Sequence, residues 1–170
     1  MEDFIVNKVA QSGLITLDLA LYKPVPGQVV GLDLADFLFQ RLILKEKEFR
    51  DHVKNTQWET YAGKDVAIFC SEDAIVPMWA YMLLAASLQP YARRIETMRP
   101  DELEQRLWKE NLETGLKNYQ WVDKRVVVKG CGDEQIPEAI YVAATNLLVP
   151  QVKSLMYGEP CSTVPVFKKK

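Results

Sequence analysis

The fold is decided by the stretch KDVAIFCSEDAIVPMWAYMLLAASLQP, residues 64–90. Residues 65–69 are a short apolar run that follows turn residues, which is typical of a buried strand. Pro77 is suited to the first turn of a helix, because its missing N–H group would be unpaired there anyway. The uncharged residues 78–89 then predict an apolar helix that stops before Pro90. The stretch therefore predicts a strand followed directly by a buried helix.

The same pattern recurs sixty residues later in the chain. The runs RVVVK (125–129) and EAIYVAATNLLV (138–149) repeat the strand and the apolar helix. Asp73 and the matching Asp133 are each predicted to cap the helix that follows, since a carboxylate accepts free N–H groups at a helix start. Seven positions are identical between 64–95 and 124–155, at residues 64, 66, 73, 77, 81, 88 and 90 and their partners. We therefore expect two related halves at an offset of 60.

The remaining segments complete an alternating pattern of helices and strands. Amphipathic helices are predicted within 42–55 and 99–118, and strands within 13–19, 29–37, 92–98 and 152–158. Such alternation is typical of an α/β fold with a largely parallel or mixed sheet. At 170 residues, the chain fits a single domain of about 150 residues by the usual prior. Its predicted parts are an N-terminal strand pair (1–40), a first helix-strand-helix-strand repeat (41–97), a second repeat (98–157) and a C-terminal tail (158–170).

The composition of the chain argues against several classes of protein. The net charge of −2 and the acidic pI near 5.5 argue against a nucleic-acid-binding surface, which is usually basic. The first ten residues carry acidic side chains and no apolar run of signal-peptide length, so we expect no export. Prolines interrupt the longest uncharged run, 74–92, which favours a core helix over a membrane span. Three irregularly spaced cysteines fit free thiols in a reducing cytoplasm.

Two of these cysteines fall where a ligand is expected in a parallel sheet. Cys70 and Cys131 follow the two buried strands, and ligands bind beyond the carboxyl ends of such strands. A helix N-terminus lowers the pKa of a nearby thiol, and flanking Gly130 and Gly132 let a ligand come close to Cys131. The negative charges of Asp133 and Glu134 work against a thiolate. Cys131 is therefore either a reactive or ligating thiol, or an inert packed one.

Cys161 is the third candidate, because it lies between two prolines in a segment expected to be irregular. If Cys131 and Cys161 converge, their thiols and a carboxylate such as Asp133 or Glu159 could hold transient iron, zinc or a transferred sulfur. No CxxC pair occurs, so the sequence requires no metal or cofactor. The carboxylates of SED (71–73, with Ser71 and Asp73) and GDE (132–134) could form an acid–base pair, but helix caps and solvated loops explain these residues more simply. His52 is the only histidine, which disfavours Ser–His or Cys–His catalysis.

Long specific strings link the chain to a known family. They are NKVAQSGLITLDL, AIVPMWAYMLLAASLQPYA, VVVKGCGDEQIPEAIY and SLMYGEPCSTVPVFKKK. With these strings the chain resembles, over nearly its whole length, a bacterial family known as domain of unknown function 2480. The family has no activity to carry over, but the resemblance implies an accessory role in iron–sulfur cluster assembly. The junction at Ser71 is also similar to the phosphorylated site of sulfate-transporter/anti-sigma-antagonist domains, although their Asp-Ser-Ser-Gly type of motif is missing.

Three functions follow as hypotheses. The first is a non-enzymatic cytoplasmic accessory factor of iron–sulfur cluster assembly that uses Cys131, Cys161 and, less directly, Cys70. The second is a protein-interaction or regulatory module without thiol chemistry, and the third is a small thiol-dependent enzyme. We expect a protein partner, no nucleic acid and no membrane, and the apolar helices permit a homodimer.

Overall fold

The computed structural model describes residues 13–130, 132 and 134–170. Within this part of the chain, strands and helices alternate, which confirms the predicted α/β class. The strands are β1 (Leu14–Leu17), β2 (Val29–Asp33), β3 (Asp65–Phe69), β4 (Arg94–Thr97), β5 (Arg125–Lys129), β6 (Ser154–Glu159) and β7 (Ser162–Lys168). The helices are α1 (Glu46–Asn55), α2 (Met78–Leu88), α3 (Pro100–Lys117) and α4 (Glu138–Leu148).

The described strands form two open sheets. One has the order β1-β5-β6-β7, with β7 antiparallel to β6 and the other pairs parallel. The other has the order β2-β3-β4 and is parallel throughout. The predicted N-terminal strand pair is corrected, since β1 and β2 belong to different sheets. Each pairs in parallel with a strand far along the chain, as in a crossover connection, instead of turning back as a hairpin.

The chain divides into two compact units, each with its own core. Unit 1 consists of Met1–Pro24 and Gln105–Lys170, and unit 2 is the continuous segment Val25–Glu104. The core of unit 1 gathers apolar side chains of β1, β5, α3 and α4, among them Ile140, and it also includes Trp121 from the loop before β5. That of unit 2 gathers side chains of β3, α1 and α2, among them Phe49. No helix in the described residues is both long and apolar enough to cross a membrane.

Backbone geometry matches at positions sixty residues apart. Pro77 precedes α2 with φ −64° and ψ 145°, and Pro137 precedes α4 with φ −61° and ψ 144°. The Arg93 N–H donates to the Lys64 carbonyl at 2.8 Å, and the Lys153 N–H donates to the Lys124 carbonyl at the same distance. The two strand-helix-strand segments are thus built alike. A common origin by duplication stays a prediction.

The predicted helix caps are corrected. The residue that precedes α2 is Pro77, and no side chain caps the helix. Asp73 is exposed in the loop before α2. It does not cap the helix, because α2 starts five residues later and the extended Pro77 keeps the carboxylate away from the free N–H groups. Asp133 lies outside the described residues.

The predicted C-terminal tail is also corrected. Residues 162–168 form β7, which pairs with β6 over its whole length. The sequence pattern did not predict this strand, because Pro165 has no N–H group to donate to a β-ladder. Proline is tolerated here because β7 is an edge strand. Cys161 therefore lies in the tight turn of a β-hairpin and not in an irregular segment.

Candidate functional site

Two aspartates mark the carboxyl ends of the first strand of each unit. The tetrapeptide LDLA occurs at residues 17–20 and again at 32–35. Asp18 directly follows β1 and Asp33 is the last residue of β2, and each Oδ1 accepts the N–H of the alanine two residues later, at 3.0 Å. The sequence analysis missed both residues, because the offset of 60 does not reach them. The repeated tetrapeptide is the signal that could have found them.

In unit 1, charged side chains converge on a small cavity at the end of β5. Lys129 Nζ lies 2.9 Å from Asp18 Oδ2, and Lys23 Nζ lies 2.6 Å from Glu134 Oε2. The cavity has a volume of about 200 Å³, and its walls include Gly130 and Gly132. The predicted glycines and Glu134 therefore do line a cavity at the strand ends. Cys131, between the two glycines in the chain, lies outside the described residues.

The hairpin that carries Cys161 lies at the same edge of this sheet. The Gly130 N–H donates to the Gly158 carbonyl at 3.3 Å, which ties the end of β5 to the end of β6. Cys161 is exposed in the turn that follows. Glu159, which precedes this turn, has a buried Oε1 atom with no hydrogen-bond partner. A buried carboxylate oxygen without a partner is rare and calls for a proton, a water molecule or a cation.

The donor set for a metal at this edge is incomplete in the described residues. Within residues 13–130, 132 and 134–170, no three His, Cys, Asp or Glu side chains come close enough together to hold a metal ion. A site built on Cys161 and Glu159 would therefore need Cys131 or Asp133 to complete it. The buried oxygen of Glu159 is the feature that fits a cation.

In unit 2, the equivalent strand end carries a polar cluster. Ser71 Oγ donates to Asp33 Oδ2 at 2.5 Å, and the Ser71 N–H donates to Asp33 Oδ1 at 3.0 Å. Arg41 contacts Asp33 Oδ2 at 2.9 Å and Ser71 Oγ at 2.8 Å, and it also pairs with Glu72 and Asp36. The cluster thus joins the ends of β2 and β3 through one arginine.

Backbone strain accompanies this arginine. Gln40 and Arg41 have φ values of 50° and 62°, in a turn closed by the Leu42 N–H donating to the Phe39 carbonyl at 3.2 Å. Such turns favour Asn-Gly, because residues with a Cβ atom are strained at positive φ. Hydrogen bonds to Glu72, Asp36 and Asp33 raise the pKa of the Arg41 guanidinium. The hydrogen bonds and ion pairs of the polar cluster offset the free-energy cost of the strained turn.

The hydrogen bonds to Asp33 set a pH dependence. Partial burial alone would raise the pKa of Asp33, but hydrogen bonds from Ser71, Ala35 and Arg41 lower it overall. Since the pKa is lower in the folded than in the unfolded chain, this carboxylate stabilises the fold above its unfolded pKa of about 4, and the contribution is lost as the pH falls through the folded pKa. We expect Asp33→Asn to cost about 1–2 kcal/mol at pH 7.

Urea unfolding of wild type and Asp33→Asn between pH 7 and pH 3 measures this effect. The difference in unfolding free energy should shrink below about pH 4, where the unfolded carboxyl protonates. Thr60→Ala serves as the control, since its hydroxyl reaches only the carbonyl of Gln57, three residues before it. A constant difference across the range would contradict the assignment.

The other predicted site residues lie apart from a shared centre. Cys70 is half-buried against the core of unit 2, where burial and then the nearby thiol raise the pKa of Tyr81. His52 is exposed, as predicted, and its ring lies 4.4 Å from that of Phe37. Of the two acidic-loop residues, Ser71 joins the Asp33 cluster, and Asp73 is simply exposed.

Comparison with known proteins places the chain in one family. A family model described as "Protein of unknown function (DUF2480)" matches residues 3–169. The chain belongs to this family, as the resemblance predicted. No curated protein and no solved structure matches it.

Proposed function

We propose that this member of the DUF2480 family is a non-enzymatic accessory factor that binds iron through thiols at the carboxyl edge of the unit 1 sheet. The observation that carries the proposal is the buried, unpartnered Oε1 of Glu159, two residues before the exposed Cys161. The hydrogen bond from Gly130 to Gly158 supports it, because it holds the neighbour of Cys131 at the same edge. Iron–sulfur cluster assembly is the setting that the family resemblance implies.

The chemistry of these groups suits iron as cargo. Thiolates are soft ligands that favour zinc and iron–sulfur species, and a carboxylate adds a harder oxygen donor. A buried carboxylate oxygen without a partner gains from a nearby cation, because that oxygen has already lost its contact with water. In this proposal Cys131 and Cys161 supply the thiolates and Glu159 the oxygen. An exposed turn leaves one side open for delivery to a partner.

Metal analysis after anaerobic purification tests the proposal. We expect close to one iron per chain, with a loss of at least tenfold in Cys131→Ser and in Cys161→Ser. Glu159→Gln should weaken binding by about 10–100-fold, the range seen for groups that support a metal site. Cys70→Ser is the matched control and should retain the metal, since Cys70 is half-buried in the other unit.

Two results would overturn the proposal. One is a wild-type protein that neither carries iron nor binds added Fe²⁺. The other is iron content that is unchanged in both cysteine variants. In cells, replacement of wild type by the Cys131→Ser/Cys161→Ser variant should impair iron–sulfur cluster maturation.

A second candidate function rests on the surface of α2. This helix has no charged residue, and its exposed side carries Met78 and Met82, which are 70% and 71% exposed. Ile75, in the loop just before the helix, is 95% exposed. Exposed apolar patches of this kind mark interaction sites. An uncharged stripe needs no complementary charges, so we propose that it packs against the same stripe of a second copy of the chain.

Light scattering after size-exclusion chromatography measures the expected dimer. Ile75→Glu/Met82→Glu should give a monomer, because each glutamate would place a buried, unpaired charge in the interface. Val142→Glu is the matched control, since Val142 is exposed on α4 sixty residues after Met82. A wild-type protein that is monomeric at all concentrations would contradict this candidate.

A further inference from the structure

Unit 2 contains a second cavity, whose walls share only Met78 with the surfaces used by the two proposed functions. It has a volume of about 430 Å³ and opens beside the carboxyl ends of β3 and β4. Ligands of open parallel sheets bind at this end of the strands. Small-molecule sites usually have volumes of roughly 300–1,000 Å³, so the cavity is of a size for a small metabolite. It is independent of the thiols and carboxylate of unit 1.

The walls of this cavity are mostly apolar. They include Ile68 and Phe69 at the end of β3, Met78 at the start of α2, and Met98 after β4. The hydroxyl-bearing ring of Tyr81 completes them. Methionine side chains adapt their shape to different apolar groups. The walls can therefore accommodate bulky apolar side chains of different shapes on a ligand.

The rim of the cavity carries one cation and one anion. The Arg99 guanidinium lies 5.9 Å from the centre of the Phe69 ring, which holds it over the cavity. Its nearest carboxylate is that of Asp101, at 3.5 Å, and both side chains are mostly exposed. Glu102 also lines the cavity, and its Oε2 accepts the backbone N–H of Arg99 at 2.9 Å. Arg99 thus directly precedes α3, Glu102 lies in its first turn, and both residues line the cavity.

This pairing of charges selects the ligand class. A carboxylate alone would meet Arg99 but would lie beside the negative charges of Glu102 and Asp101. An ammonium group alone would meet Glu102 but would lie beside Arg99. A molecule that carries an ammonium and a carboxylate group on the same carbon atom could pair with both Glu102 and Arg99. Complementary charges of this kind give specificity. We propose that the cavity binds a free α-amino acid with a large apolar side chain.

Calorimetric titration of the full chain with phenylalanine, leucine and methionine tests the proposal. At least one of them should bind with a dissociation constant below 1 mM, and glycine should bind at least tenfold more weakly. Two analogues separate the charges: 3-phenylpropanoate lacks the ammonium group and 2-phenylethylamine lacks the carboxylate. Each should bind at least tenfold more weakly than phenylalanine. A peptide with a C-terminal phenylalanine should also bind weakly, because its ammonium group is lost in the peptide bond.

Variants locate the site on the protein. Arg99→Gln and Glu102→Gln should each weaken binding at least tenfold, and Gln at 102 keeps an acceptor for the helix end. Lys109→Gln is the matched control, as it removes an exposed charge from α3 outside the cavity. The proposal is overturned if none of the twenty amino acids binds below 10 mM, or if either analogue matches phenylalanine. It is overturned as well if both cavity variants bind like wild type.

Discussion

Arg93→Met should destabilise the protein by about 3 kcal/mol, the low end of the cost of leaving a buried charge unpaired. Asp65 is fully buried, and both of its oxygens accept from Arg93, one at 2.9 Å. Among the residues that the structure describes, the only other side chain that donates to this carboxylate is Gln28, at 3.5 Å. The guanidinium itself is 58% exposed, so water can reach the edge of the site and moderate the loss. Urea unfolding at pH 7 measures the difference.

The offset of 60 provides the control for this experiment. Lys153 stands where Arg93 does, but the residue in the place of Asp65 is Arg125, so no buried carboxylate depends on Lys153. Lys153→Met should therefore change the stability by less than about 0.5 kcal/mol. The double variant Asp65→Asn/Arg93→Met should recover part of the loss, because it removes the buried charge. Equal effects of Arg93→Met and Lys153→Met would show that the ion pair is not the cause.

Gly158→Ala should cost roughly 3 kcal/mol, from backbone strain and overpacking together. Gly158 has a φ of 122°, a conformation that residues with a Cβ atom avoid. An added Cβ would lie 2.4 Å from the backbone oxygen of Ser162 across the hairpin. The backbone of Ser162 cannot move away from the added Cβ without breaking hydrogen bonds between β6 and β7. Unfolding free energy and amide exchange in β7 both measure the loss.

Gly132→Ala is the matched control for the hairpin. Gly132 is exposed, and an added Cβ would meet nothing within 4 Å. Its substitution should change the stability by less than about 0.5 kcal/mol. Faster exchange in β7 of Gly158→Ala alone would tie the effect to the hairpin that carries Cys161. A Gly158→Ala variant as stable as wild type would rule out the strained conformation.

Local signals were sufficient for most elements of the fold. The bounds of β3 and β5 agree with the predicted runs, because charged residues directly precede each apolar run. The apolar helices are bounded by prolines on both sides, and those predictions are also confirmed. The pairing of β1 with β5 could not be predicted in this way. It depends on contacts between residues far apart in the chain, for which a single sequence has no local signal.

The site was only partly predictable for a related reason. The strand-end position of Gly130 follows from the strand pattern and the rule for parallel sheets. The contact of Arg41 with Asp33 and Ser71 does not, because it depends on a turn with positive φ formed by Gln40 and Arg41. Gln and Arg are not the residues that such turns favour, so the sequence does not predict the turn. The charges around the unit 2 cavity are equally ordinary in sequence, and only their position beside apolar walls distinguishes them.

The order of the two units along the chain has a consequence for biosynthesis. Unit 2 is continuous, so it can fold as soon as residue 104 has left the ribosome. Leu14 must wait for its partner Arg125, and the adjoining β6 and β7 are made last of all. Until then the apolar side chains of β1 have no sheet to join, and pairing over such a separation is slow. The first segment of unit 1 is therefore the part of the nascent chain that most needs protection by a chaperone.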